Sequence, residues 1–192
     1  MIEMGGKFVH WEINNKPSLV EKEKKEVIVT KRKPTVEEII REGTLEKEIK
    51  RQIDFCNLHL NENRRRYGGF LYVYGLPEET KALVAEPIMI GRPTAGKVDK
   101  CKELTLEKAT RLLAHPDHLS SWQSRSEARG EYGGAIRYQD GEDTGVIFSF
   151  GGLDEQANEA VLVNSLLKLE IITIREAGKI RDISHNLFIN LG

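Results

Sequence analysis

The sequence predicts an α/β protein: an antiparallel sheet of about four to six strands with helices packed against it, in the order helix, hairpin, helix, hairpin, helix. Three observations point to this. Between Gly133 and Leu169, the runs GGAIRY and VIFSF are rich in β-branched and aromatic residues and flank Asp140-Gly141. That pattern reads as a hairpin, with a loop longer than a tight two-residue turn. Directly after Gly151-Gly152 the hydrophobic period changes from two to about 3.6 residues, the repeat of an amphipathic helix. Leu153, Ala157, Ala160, Val161, Asn164, Leu167, Ile171 and Ile174 share its stripe, and Asp154 and Glu155 suit its positive end. Earlier in the chain, GGFLYVY (residues 68–74) and LVAEPIMI (residues 83–90) make a second pair of strand-like runs.

Taken in order, residues 1–34 read as an N-terminal extension, an edge strand or an arm, and residues 35–192 as a single α/β domain. In the extension, KFVHWEI alternates like a strand, EKEKKE is a solvated charge run and VIVT is a short strand. Pro34-Thr35 ahead of Val36-Glu37-Glu38 starts a helix, with a hydroxyl cap and acids in the first turn. Gly43-Thr44 breaks it. The second helix carries the stripe Leu45, Ile49, Ile53, Cys56 and Leu60, the pattern of packing against a sheet. Arg64, Arg65 and Arg66 end it at the negative pole.

Pro87 lacks a ladder donor and argues that the second strand of the first hairpin is an edge or a bulge. GRPTAG is a loop, and GRPTAGK falls short of a phosphate loop because Val98 stands where Ser or Thr belongs. A helix over residues 103–114, with Glu107 and Arg111 paired at i,i+4, stops at Pro116. Ala177-Gly178 reads as a helix end, and residues 183–189 as a last strand or an arm.

Composition bounds function. The chain has 192 residues, 29 basic and 30 acidic, for a net charge of −1. The isoelectric point is near 6.5. Neither nucleic acid nor an anionic membrane is called for as a partner. Cys56 and Cys101 form no CxxC, which excludes a zinc ribbon or thioredoxin site. MIEMGGKFVHWEINN lacks the basic and apolar regions of a signal peptide, and no run reaches the roughly 20 apolar residues of a membrane span. A cytoplasmic protein is the expectation.

His115-Pro-Asp117-His118 is the densest set of ligating side chains. It could hold a metal ion or the iron of haem, and a surface loop accounts for it as well. Trp122, Arg125 and Arg129 follow. A flat aromatic beside guanidinium groups suits a planar, carboxylate-bearing ligand, and a tryptophan that anchors the loop on the sheet accounts for the same residues. There is no GxSxG, no HExxH and no dinucleotide fingerprint, so no catalytic residue is named.

The central stretch also carries a resemblance. Gly133-Gly134-Ala135-Ile136, the run Val146 to Ser149, Gly152-Leu153, Glu155 and Asn158-Glu159 resemble the haem-binding/haem-degrading domain family. That family includes the glycolate-operon protein G and the C-terminal domain of some cobalamin adenosyltransferases. Lys108-Ala109 is similar to a Lys-Ala pair in the family's preceding helix. The chain departs from the pattern where Phe150 interrupts the S-G pair, where Asn158 replaces the usual acid, and where the Arg-x-Asp-Gly segment has no counterpart. The resemblance covers residues 44–174. It implies a profilin-like sandwich that binds haem or another small carboxylated ligand, with haem turnover as an associated activity.

The ligand-binding residues expected are His115, His118, Trp122, Arg125, Arg129, Gly133 and Gly134; a metal would take His115, Asp117 and His118. Alternatives are a non-enzymatic oligomeric scaffold or small-ligand sensor of the same fold, and a metal-binding protein. Apolar terminal segments lead to the expectation of a homo-oligomer.

Overall fold

β1 (Tyr67–Leu76), β2 (Ile88–Arg92), β3 (Ala135–Gln139) and β4 (Gly145–Gly151) form one antiparallel sheet in the order β2-β1-β4-β3. The computed structural model describes residues 35–58, 60–76, 86–139 and 145–192. The N-terminal extension, His59, the turn after Leu76 and Asp140-Gly141 lie outside these residues. The expected α/β class holds, at the lower end of the expected strand number.

The register follows the hydrophobic pattern. Val73 of β1 lies opposite Phe148 of β4, and Phe148 lies opposite Ile136 of β3. Successive side chains alternate between the faces. Leu71, Val73, Ile136, Phe148 and Phe150 therefore share one face, where they join the main core. That core is completed by α1 (Val36–Arg41), α2 (Thr44–Leu58), α4 (Glu155–Lys168) and α5 (Ile174–Ser184). The opposite face carries Tyr72, Tyr74, Ala135 and Ile147 against Ala109 and Leu112 of α3 (Val98–Leu113). Among the described residues the result is three layers, with the sheet between α3 and the other helices.

β2 is an edge strand, and Pro87 stands just ahead of it, where no ladder donor is needed. Gly91 and Arg92, expected in a loop, pair with Gly68 and Tyr67. The strand expected over residues 83–90 thus sits later in the chain, while residues 83–85 lie outside the described set.

The hairpin-plus-helix unit is as expected: β3 pairs with β4, and Ala157, Val161 and Ile171 are all buried. The helix itself differs in two ways. It is not one-faced, since ten consecutive residues, Ala157 to Leu166, are buried. The sheet lies on one side of α4, and α2 and α5 cover others. It also does not reach Ile174. Glu170 takes a left-handed conformation (φ 57°), and the amides of Ile171 and Ile172 bond back to Leu166 O.

Thr173 then caps α5. Its hydroxyl accepts from Glu176 N, and the Glu176 carboxylate accepts from Thr173 N. This reciprocal capping box starts a new helix where periodicity alone continues the old one. Ile174 is accordingly exposed, and Ala177-Gly178 lies inside α5 rather than at a helix end. The last strand or arm expected over residues 183–189 is instead the end of α5 and an irregular tail. Asn164 holds that tail through Phe188 O and Asn190 N.

α3 begins five residues earlier than expected. Its C-terminus is finished by Arg137 of β3, whose guanidinium donates to Leu112 O, His115 O and His118 O. A cation at the carbonyl end of a helix meets unpaired acceptors and the negative pole together. Among the described residues, no helix is long and apolar enough to cross a membrane.

Candidate functional site

The first half of α3, the Gly151–Leu153 loop and the first turn of α4 meet at the end of β4. They enclose a cleft of about 840 Å3, within the usual range for small-molecule sites. Trp122, Arg125 and Tyr132 supply one wall, and Lys97 and Lys100 stand at the α3 side.

Lys108 lines this cleft although its residue is 2 % exposed. It sits on the sheet-facing stripe of α3, one turn from Leu112. Its Nζ donates to Phe150 O at 3.1 Å, the one hydrogen bond it makes among the described residues. An ammonium has three donors, so the site under-uses it. Burial lowers its pKa from 10.5 to about 8, with Glu107 and Glu155 opposing the shift.

Beside Lys108, α4 opens without a side-chain cap: Asp154 occupies the N-cap position and makes no cap hydrogen bond. Asn158 N is the donor to Asp154 O. The amides of Glu155, Gln156 and Ala157 have no partner within the helix and form its positive end, and all three residues line the cleft. Asn158 shapes the approach by closing on both backbone groups of Leu153, each at 2.9 Å. Gly152, at φ 145°, leaves no room for a side chain, since a Cβ would lie 2.4 Å from Gly69 Cα.

The charges in the wall are largely paired. Glu155 accepts from Arg125 Nε at 2.8 Å and from Gly133 N at 2.6 Å. Arg125 also pairs with Glu127 and lies 5.0 Å over the Trp122 ring. Beneath the wall, Glu159 is fully buried on α4. It accepts from Ser120 Oγ at one oxygen and from Asn186 Nδ2 (3.1 Å) at the other. Burial holds its carboxyl above the usual range, against the pull of these hydrogen bonds. Ser120 in turn caps the short 3-10 turn that carries Trp122. One buried carboxylate thus fastens the Trp122 loop and the C-terminal tail to α4.

Of the residues expected to bind, Trp122 and Arg125 line the cleft, Arg125 as a paired guanidinium rather than a free one. Gly133 is tied to it through Glu155. Gly134 adopts φ 114°, and a Cβ there would lie 2.8 Å from Asn158 Cβ and 3.1 Å from Lys108 Nζ; its role is to let these groups approach. Arg129 pairs with Glu131 and does not line the cleft.

His115, Asp117 and His118 do come together, but past the C-terminus of α3 and away from the cleft. Their ligating atoms lie within 4.8 Å of one another. The two imidazoles stack at 4.6 Å, and His118 Nδ1 is buried without a partner. Of the two thiols, Cys56 is buried and pushed up to about 11 by desolvation, while Cys101 is half-buried and lines the cleft.

Sequence reasoning assigned no role to Lys108, Asn158 or Glu159, which enter only as motif positions of the resemblance, and placed Glu155 only at the positive end of its helix. The signal for Lys108 is a charge spaced four residues from both Leu104 and Leu112, on a stripe that is otherwise apolar or small. No family model matches the chain, and no curated protein or solved structure matches it.

Proposed function

We propose that the protein binds a small carboxylate-bearing molecule in the cleft between α3 and α4, with haem as the case to which the sequence resemblance points. One observation carries the reading: a buried ammonium, whose one hydrogen-bond partner among the described residues is a carbonyl, lines the same cleft as the amino-terminal turn of α4, which has no side-chain cap. Burying a charge is unfavourable by several kcal/mol unless it is paired. A carboxylate held between Lys108 Nζ and the α4 amides supplies the missing partner and suits the helix pole.

For haem, the Trp122 ring offers a face to a flat macrocycle, and Lys97, Lys100 and Lys108 offer partners to its propionates. Among the described residues, those that line the cleft include Tyr132 and Cys101 but no histidine. This described set fits the carboxylates of such a ligand and includes no imidazole for the iron.

Titration with hemin, followed at the Soret band, and calorimetry with small mono- and dicarboxylates test the reading. Lys108→Met is expected to weaken binding by roughly 10- to 100-fold, from the loss of a charge-assisted hydrogen bond of about 1.5–3 kcal/mol. Changing both His115 and His118 to Ala leaves cleft binding unaltered. Flat titrations with hemin and with the carboxylates sink the proposal.

The stacked histidines favour a second, separate reading, a transition-metal ion on His115, Asp117 and His118. Their donor atoms are already clustered, and imidazole with carboxylate suits zinc or nickel. Metal analysis of untagged protein decides it, and an absence of zinc uptake that depends on these residues excludes it.

A further inference from the structure

We propose that Lys108 is also a nucleophile, whose amine condenses with the carbonyl carbon of a 2-oxo acid seated in the cleft. The inference rests on the carboxylate reading above and narrows it to a substrate class.

Geometry supports it. Lys108 Nζ packs against Gly134 beside Asn158 of the first turn of α4, and Lys108 and that turn line the same cleft. Gly134 lets the two approach this closely, since a Cβ there would lie 3.1 Å from Nζ and 2.8 Å from Asn158 Cβ. A 2-oxo acid carries its carboxylate and its electrophilic carbon on neighbouring atoms. A carboxylate on the amides of Glu155, Gln156 and Ala157 therefore brings the carbonyl carbon toward the amine. The hydrogen bond to Phe150 O restrains Nζ without using up its capacity to react.

The charged groups around Lys108 are already committed. Glu107 accepts from Arg111 Nε at 2.6 Å, and Glu155 accepts from Arg125. Neither carboxylate is bonded to the ammonium, and their charges only partly offset the effect of burial. Burial is the larger effect and favours the neutral amine. At a pKa of about 8, half of Lys108 is neutral at pH 8, against roughly 0.3 % for an unperturbed lysine near 10.5. Desolvated lysines of this kind are the ones that form Schiff bases.

The step balances. The neutral amine adds to the carbonyl carbon, both amine hydrogens leave with the carbonyl oxygen as water, and a carbon–nitrogen double bond remains. No oxidant or reductant is consumed.

The full chain is incubated with pyruvate, treated with sodium borohydride to fix any imine, and mapped by peptide mass. The expected result is one reduced adduct per chain, on Lys108, with a yield that rises between about pH 7 and 9. Acetone has the carbonyl and lacks the carboxylate, and is expected to give at least about tenfold less. Lys108→Met removes the adduct. The mapping is done on the unaltered chain, so the result does not depend on how the variant folds. No adduct, or an adduct spread over surface lysines, overturns the inference. If calorimetry on the same sample still shows carboxylate binding, the nucleophile alone fails; if that binding is absent as well, the ligand reading fails with it.

Discussion

Replacing Lys108 by Met separates a lysine kept for a ligand from one kept for the fold. The side chain is fully buried and its pKa falls from 10.5 to about 8. That shift corresponds to roughly 3 kcal/mol spent on burying the charge at neutral pH. The sign follows from proton uptake. Between the two pKa values the unfolded chain binds more protons than the folded one, so stability rises with pH through this window, and below about pH 8 the whole cost applies.

Met fills a similar volume without charge. It recovers the roughly 3 kcal/mol and gives up the hydrogen bond to Phe150 O, worth about 1–1.5 kcal/mol. Lys108→Met is therefore expected to be more stable than the parent by about 1–2 kcal/mol at pH 7, the outcome seen when buried charges are replaced by apolar residues. By pH 10 the parent's penalty has shrunk by roughly 2 kcal/mol and the advantage is gone. Urea denaturation of both chains at pH 7 and pH 10 measures this directly. A variant less stable than the parent by more than about 1 kcal/mol at pH 7, or a difference that does not move with pH, refutes the reasoning. Either result would make the ammonium a structural fastener of α3 to β4.

Three further outcomes are expected. Gly134→Ala forces a left-handed backbone and a Cβ 2.8 Å from Asn158 Cβ; a loss of about 2 kcal/mol or more in denaturant melts is expected, and a neutral effect would mean the α3–α4 gap is not close-packed. Glu159→Gln should flatten the pH profile of stability. The raised carboxyl makes the folded state hold its proton longer, so parent stability declines as pH rises above about 4.5 through the folded-state pKa, and an unchanged profile would show that Glu159 is not the group responsible. Thr173→Ala removes the capping box of α5 and should lower stability by about 1 kcal/mol, while no change in the thermal midpoint would show that the box does not hold that helix start.

The legible parts of the fold were those with local causes. β-branched runs flanked by glycines gave β1, β3 and β4, and Thr35 with its acids gave α1. The stripe of Leu45, Ile49 and Ile53 gave the face that α2 buries. Where two local signals competed, reading the wrong one misplaced a boundary: the periodicity through Ile171 and Ile174 outweighed the Thr173–Glu176 box, although both are present in the sequence. α3 was started late because its first turn, Val98-Asp99-Lys100, carries little apolar pattern.

The candidate site was half legible. Trp122 and Arg125 were singled out for their residue types, and they do line the cleft. What pairs Arg125 with Glu155 is a contact across thirty residues of chain that no periodicity encodes. His115, Asp117 and His118 were grouped by adjacency and remain a group, because a short turn after α3 keeps neighbours together.

Local sequence determined which segments are strands and helices, which residues fill the core and which charges are neutralised within one helix, since these depend on spacing along a few turns of chain. Tertiary structure alone decided that Lys108 is buried, that Glu159 fastens two distant segments, and that the start of α4 faces a cleft. Burial and electrostatic environment are set by what packs against a residue from elsewhere in the chain, and a single charged residue on an apolar stripe carries the same letter whether it ends in water or beneath a sheet.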